Sequence, residues 1–355
     1  MENPDLRRMR LSAQRIAGPG SASVAETVRW MGAFQAQDYA AALWAIGMRT
    51  AGATMSDVES AIRQREIVRT WPMRGTLHFI SPELVRPVLR LCAPRIRQRV
   101  AARYRQLEID DAAIRKAGDI VTCEIREHGP RTRPEMYEAF AAGGVQPDGQ
   151  RGVHLLGQLA RDGLICFGAH RGKQATFVLL DDWAPHSLDL PDDEAAGELA
   201  LRYFRSHGPA TVQDFAWWSN LTVTQAQDAL DACSGALDRL DSLGKRFWFA
   251  PAAVTGEAAP LRLLPSFDEF IIGYTDRSSV APAEHLARVV PGNNGMFLPA
   301  IVDSHGRLTG TWRKTVSRNG LSVVAEPFLG VPEPDEQVFT AAAREYATFT
   351  GLALR

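Results

Sequence analysis

His128-Gly129-Pro130-Arg131-Thr132 recurs 79 residues later as His207-Gly208-Pro209-Ala210-Thr211. An apolar helix precedes each copy and another follows, with Gly-Pro breaking the first and threonine placed to cap the second. Pro134-Glu135-Met136 and Val212-Gln213-Asp214 fill the first turns of those second helices. A third helix is expected from Val153 to Asp162 in one copy and from Thr224 to Cys233 in the other. Each copy then closes in a hairpin. The first runs Leu164 to Phe167, turns at His170-Arg171-Gly172-Lys173 and returns from Ala175 to Leu180. The second runs Leu237 to Asp241, turns at Gly244-Lys245-Arg246 and returns from Phe247 to Ala250. Three helices followed by a basic-tipped ribbon is the order of a winged helix, built on a helix-turn-helix.

Working outward, the first 115 residues spell the same order. Ser23 and Glu26 read as a capping box for a helix carrying Val24, Val28 and Met31, with Phe34 extending its stripe. Ala40 to Met48, with Leu43 and Trp44, reads as a second helix, and Ser56 to Arg65 as a third, capped by Ser56 and Glu59. Ile67 to Trp71 and Gly75 to Ile80 read as a strand pair. Beyond Pro82 a helix passes through Leu84, Val88 and Leu91, then resumes after Pro94 with Arg95, Arg99 and Arg103 on one face. Such a stripe is either a solvated surface or a phosphate contact. Acidic loops at Asp181-Asp182 and Asp192-Asp193-Glu194, with Pro185 and Pro191, mark a linker. From about residue 258 the character changes to strands: Leu261 to Leu264, an apolar stretch Phe270 to Tyr274, then Met296 to Val302, Leu308 to Arg318 and Leu321 to Phe328. Ser304-His305-Gly306 and Asn319-Gly320 supply turns, and a helix from Asp335 to Thr348 ends the chain. The expected fold is α+β: three tandem winged-helix units (1–115, 116–190, 191–257), then a β-meander with a terminal helix (258–355).

Composition narrows the class. The 355 residues are 45% hydrophobic and 23% charged, with no apolar run long enough to span a bilayer. Met1 to Arg10 shows no secretory signal. Cys92, Cys123, Cys166 and Cys233 are scattered, and the eight histidines show no ligand spacing, so no metal, cofactor or disulfide framework is expected. These features suit a monomer in a reducing cytoplasm. Net charge is −1, yet residues 1–110 carry 17 Arg and no Lys against 10 acidic residues, net +7. A basic half of this kind can track phosphates, which would associate the protein with the nucleoid.

Three stretches concentrate polar groups within apolar sequence. The first is Phe34-Gln35-Ala36-Gln37-Asp38. Residues two apart lie on nearly opposite faces of a helix but share a side of an extended chain. If Gln35 and Gln37 act together, the helix must end or distort there. The second is Met73-Arg74-Gly75-Thr76-Leu77-His78. The third is Pro265-Ser266-Phe267-Asp268-Glu269-Phe270, continuing to Asp276-Arg277, where a local ion pair is expected. As pattern alone, each is equally well a structural feature.

With their flanks, Ala41-Ala42-Leu43-Trp44, Arg49, Leu264, Gly273-Tyr274-Thr275 and Gly310-Thr311-Trp312-Arg313-Lys314, these stretches resemble the winged-helix DNA glycosylases of the AlkZ type over nearly the whole chain. Tyr39 departs from the proline that the resemblance would place there. The resemblance implies a DNA channel and excision of N7-alkylated guanine, with Gln35 and Gln37 as the catalytic pair; bulky adducts and interstrand crosslinks extend the substrate range. N7 alkylation already makes the base a good leaving group, so the protein needs mainly to place a water and stabilise an oxocarbenium-like transition state. Two amides suffice to hold a water, with Asp38 either assisting as a base or capping a helix. The first unit has no lysine for a Schiff base. Thr76, Asp268 and Glu269 are candidate supports. Arg74, His78, Arg95, Arg99, Arg103, Arg171, Lys173, Lys245, Arg246, Arg313 and Lys314 are candidate contacts to double-stranded DNA carrying alkylated bases. The competing readings are a tandem winged-helix regulator that binds DNA without chemistry and a docking scaffold.

Overall fold

The computed structural model describes residues 4–242, 244–251, 258–292 and 295–355. Helices and strands mix throughout. Among the described residues the strands are β1 (Ala33–Gln35), β2 (Val68–Met73), β3 (Thr76–Ile80), β4 (Arg131–Thr132), β5 (Ile165–Phe167), β6 (Thr176–Leu179), β7 (Asp238–Ser242), β8 (Lys245–Phe249), β9 (Leu261–Leu264), β10 (Ala300–Asp303), β11 (Leu308–Ser317) and β12 (Gly320–Pro327). Six of them form one sheet in the order β1-β3-β2-β5-β6-β4, so the first two expected units share a sheet. The β7–β8 ribbon stands apart, and β9 to β12 form a meander in the order β12-β11-β10-β9.

The repeat is built on its caps. Thr132 starts helix Arg133–Ala142 in a capping box with Glu135, and Thr211 starts helix Val212–Ser219 in a box with Asp214. Gly129 and Gly208 close the helices before them, Asp111–His128 and Asp192–His207. The third helices are Arg151–Arg161 and Val223–Cys233, each followed by its hairpin.

Several boundaries differ from expectation. Helix Val24–Met31 stops three residues before Phe34, which lies in β1 and not on the helical stripe. The next cap is Thr54 with Asp57, because that S/T-x-x-D pair outcompetes Ser56 and Glu59 for the start of helix Met55–Arg63. Helix Val85–Gln106 runs unbroken through Pro94, held by buried Cys92 and Ile96 on either side of it. The apolar stretch after Asp268 is a short helix, Glu269–Ile272, and the strand expected from Met296 begins only at Ala300. The acidic linker is tied down: Arg86 pairs with Asp181, and Arg90 with Asp189 and Asp192. The expected boundary at 257 lies outside the described residues.

One buried ion pair joins the ends of the chain. Arg49 and Asp268 are both fully buried and meet in two hydrogen bonds of 2.7 and 2.9 Å. The other Arg49 donors reach Gln14 O, Gln14 Oε1 and Ala45 O, so all five N–H groups are used. Gln14 Nε2 donates onward to Tyr274, whose hydroxyl donates to His207 O. Removing one partner strands a buried charge. Asp268→Asn should therefore cost about 3–5 kcal/mol in urea unfolding, and Arg49→Met with Asp268→Leu should recover most of it; equal losses in the single and double variants would contradict this.

Candidate active site

The site is assembled on the six-stranded sheet. Gly32, at φ +78, ends helix Val24–Met31 and turns the chain into β1. A side chain there would press on Trp218, 3.3 Å from the position of its Cβ. Antiparallel pairing sets Gln35 opposite His78 on β3, and Thr70 of β2 opposite the same histidine. Residues directly opposite share a face, so Gln35, His78 and Thr70 form a polar row. One residue on, Ala36 N donates to Leu77 O at 2.6 Å, and Leu77 N reaches Gln37 Oε1 at 3.4 Å. The helix has ended before either glutamine. Gln35 is buried and Gln37 exposed.

Glu269 fixes this strand from across the molecule. Its Oε1 accepts from Gln35 N at 2.8 Å, and its Oε2 from Trp218 Nε1 at 3.0 Å. His207 Nε2 stands 3.5 Å from Oε2, without hydrogen-bonding geometry. Burial opposes charge on Glu269, but His207, Arg74 and the Gln35 N–H outweigh it and hold the carboxyl below the usual carboxylate range. Burial pushes His207 down, against the pull of the adjacent Glu269 carboxylate.

Arg74 and Gly75 turn β2 into β3 with φ of +55 and +77, a positive-φ pair that favours glycine at both places. Arg99 donates to the Arg74 carbonyl and braces the turn. Arg74 Nη2 lies 2.9 Å from His78 Nε2, and His78 Nδ1 lies 3.0 Å from Thr76 O. A carbonyl only accepts, so Nδ1 carries the proton and Nε2 accepts from Arg74. Burial, helped by the Arg74 charge, lowers His78 to about 3. Gln35 Oε1, Arg74 Nε and Nη1, the Thr70 and Thr76 hydroxyls and His207 Nε2 are all buried without a hydrogen-bond partner among the described residues. Folded proteins rarely leave so many polar atoms unpaired in one neighbourhood, and functional sites are where they do.

The remaining expected residues divide. Asp38 is exposed, and its carboxylate accepts from Ala41 N at 3.0 Å as the cap of helix Tyr39–Gly47. Asp268 sits behind the site, on Arg49. Arg95, Arg99 and Arg103 bond neutral acceptors: Asn220 O, Arg74 O, and the Gln106 and Gln150 amides. Four other cations are in ion pairs: Arg171 with Glu135, Lys245 with Asp276 (2.6 Å), Arg246 with Asp241 (3.0 Å) and Arg313 with Glu326 (2.8 Å). Lys314 reaches the Tyr346 hydroxyl, and Lys173 is exposed. The expected Asp276–Arg277 pair does not form, because Asp276 turns to Lys245 and Arg277 Nε to Ile271 O. His207 and Trp218 were not singled out for the site. The two repeat histidines differ: His128 lies at the surface beside Glu124 and Glu127, whereas His207 is fully buried. Among the described residues no group of His, Cys, Asp or Glu is placed to hold a metal ion, and no helix is long and apolar enough to cross a membrane.

A buried neutral histidine ties stability to pH. Free histidine takes up a proton near 6.5, and folded His78 only near 3, so acidification between those values favours the unfolded chain. Stability should be flat from pH 7 to about 8 and fall as pH drops from 6.5, with Glu269 adding to the loss below about 4.5. In urea titrations from pH 7 to 5, His78→Gln should show a shallower fall than wild type. Parallel slopes would mean that His78 is not held neutral.

The family model for DNA glycosylase AlkZ-like proteins matches residues 28–349. An interstrand DNA cross-link repair glycosylase of Streptomyces sahachiroi is 24% identical over 365 aligned positions, covering 95% of this chain and 92% of the relative. The solved structure of the Streptomyces sahachiroi DNA glycosylase AlkZ superposes with a TM-score of 0.81 at 23% identity, covering both chains completely. With a match across nearly its whole length, the chain belongs to the AlkZ-like family of DNA glycosylases, enzymes that act on N-glycosyl bonds.

Proposed function

We propose that the protein is a monofunctional glycosylase that hydrolyses the N-glycosidic bond of N7-alkylated purines in duplex DNA, with Gln35 and Gln37 holding the attacking water. The observation that carries this reading is the backbone bond from Gln35 to buried Glu269, which anchors the first amide in an extended segment. Gln37 follows two residues later at the surface. The helix has ended before either glutamine, so no helical turn sets the two amides on opposite faces. Each amide offers donors and an acceptor, which suits orienting a water at the sugar C1′.

The surroundings suit a base that leaves by itself. Glu269 is sealed and engaged on both oxygens, so it braces the strand and does not reach a substrate. His78 is neutral and turned to Arg74. A cationic N7-alkylpurine needs little acid catalysis, and the rate then rests on placing the water and stabilising charge that develops on the sugar. The exposure of Gln37 and Asp38 favours a site open to the surface of a duplex. A cavity of about 970 Å³ is lined by Arg10, Thr211, Lys245 and Asp276, and by neither glutamine. An open site accommodates bulky adducts, and the relative described as a cross-link repair glycosylase extends the proposal to interstrand crosslinks.

Three rounds of helices closed by a ribbon support reading the units as tandem winged helices. Arg95, Arg99 and Arg103 support the DNA assignment best, since neutral acceptors leave their charge uncompensated. Cations already in exposed ion pairs can exchange carboxylate for phosphate at low cost, because such pairs contribute little.

Wild-type protein should release 7-methylguanine from methylated duplex DNA. Gln35→Ala and Gln37→Ala should each slow single-turnover release by about 100-fold or more, the scale for losing a group that stabilises the transition state, with affinity for unmodified duplex nearly unchanged. Duplex binding without release by wild type would return the protein to the class of non-catalytic binders.

A further inference from the structure

A second row crosses the six-stranded sheet on its opposite face. Phe34 of β1 faces Phe79 of β3, Phe79 faces Arg69 of β2, Arg69 faces Phe167 of β5, and Phe167 faces Phe177 of β6. One arginine therefore sits inside a ladder of four phenylalanines. Arg69↔Phe167 is also the registered pair through which β2 meets β5, so the arginine stands where the two halves of the sheet join.

The setting of this side chain is costly. Arg69 is 7% exposed, and no carboxylate among the described residues pairs with it. Its guanidinium carbon lies 4.9 Å from the centre of the Phe167 ring and 5.1 Å from that of Tyr39. Tyr39 in turn packs against His170, at the tip of the β5–β6 hairpin, with ring centres 4.1 Å apart. Two nearby rings compensate a buried cation only in part. Burial lowers Arg69 to about 10, which still leaves it charged at neutral pH. Nη2 donates to Ala36 O at 2.8 Å, and Nε has no partner among the described residues.

Ala36 is the residue between the two glutamines. Its N–H is bound to Leu77 O on one side and its carbonyl to Arg69 on the other, so the peptide groups that carry both amides are held from two directions. We infer that Arg69 is a positioning residue for base excision: it fixes the Gln35–Gln37 backbone through the Ala36 carbonyl and ties that backbone to the β5–β6 hairpin through Tyr39 and Phe167. The inference rests on the reading of the glutamines as the catalytic pair. A lysine can reach the carbonyl but lacks the planar group that packs near the rings, and a methionine fills the space with no donor.

The test has two arms. Without substrate, hydrogen exchange is compared residue by residue in wild type, Arg69→Lys and Arg69→Met. The Ala36 amide should exchange about 10-fold faster in Arg69→Met and less so in Arg69→Lys, while Val68 and Ile80, on the same sheet, stay protected. With methylated duplex in single turnover, Arg69→Met should slow release by about 10- to 100-fold, the scale of a small misplacement of reacting groups. Arg69→Lys should restore part of that rate, and duplex affinity should stay within about two-fold throughout. If Arg69→Met does not fold, Arg69→Lys and Tyr39→Leu carry both arms. Wild-type exchange at Ala36 in the variants would overturn the inference, as would faster exchange with an unchanged release rate. Absence of release by wild type would instead overturn the assigned reaction, and with it this role, even if the exchange arm showed the clamp.

Discussion

The Glu269 carboxylate is where three remote parts of the chain meet. It takes the backbone N–H of Gln35 in β1 and the indole N–H of Trp218 in helix Val212–Ser219, and lies 3.5 Å from His207 at the end of helix Asp192–His207. It also begins the short helix Glu269–Ile272 that follows β9. A carboxylate this deep is stable only while those partners surround it. Its neighbour Asp268 faces the other way and neutralises Arg49. Two adjacent acids thus secure two sides of the same junction: one holds the strand that carries Gln35, and the other holds the helix behind it.

On the proposed reading, this division of labour explains why amides would face the substrate. The acids that would serve as general bases in other hydrolases are engaged inside the protein. The histidine beside Gln35 is kept neutral by burial and by Arg74. What remains near the surface is Gln37, with Asp38 given over to capping. Such a site offers hydrogen bonds and fixed geometry in place of acid strength. That would suit the proposed substrate, whose leaving group carries its own positive charge.

Much of this was legible in the residues and some was not. Caps are local, so Thr132 with Glu135 and Thr211 with Asp214 could be read directly, and the alternation of helices and ribbons followed. The Q-x-Q spacing required the helix to end or distort if the two glutamines act together, and the helix ends at Gly32. Local signals failed where two were equivalent, as with Thr54 and Ser56, or where packing overrode propensity, as at Pro94. Contacts over long separations left no trace to read. Gln35 and Glu269 are 234 positions apart, and nothing near His207 told it from His128. The joining of two hairpins into one sheet, which places Arg69 beneath the glutamines, also lay beyond any local pattern.

The account turns on whether the buried acid at 269 sustains catalysis through the strand it holds. The direct measurement is single-turnover release of 7-methylguanine by Glu269→Gln, with duplex affinity and the urea midpoint taken on the same preparation. The amide side chain keeps the size but loses the charge and one of the two strong acceptors. A fall in rate of about 100-fold, with a folded protein and unchanged duplex affinity, is what the account predicts. Release at the wild-type rate would show that the glutamines work without this anchor and would contradict it.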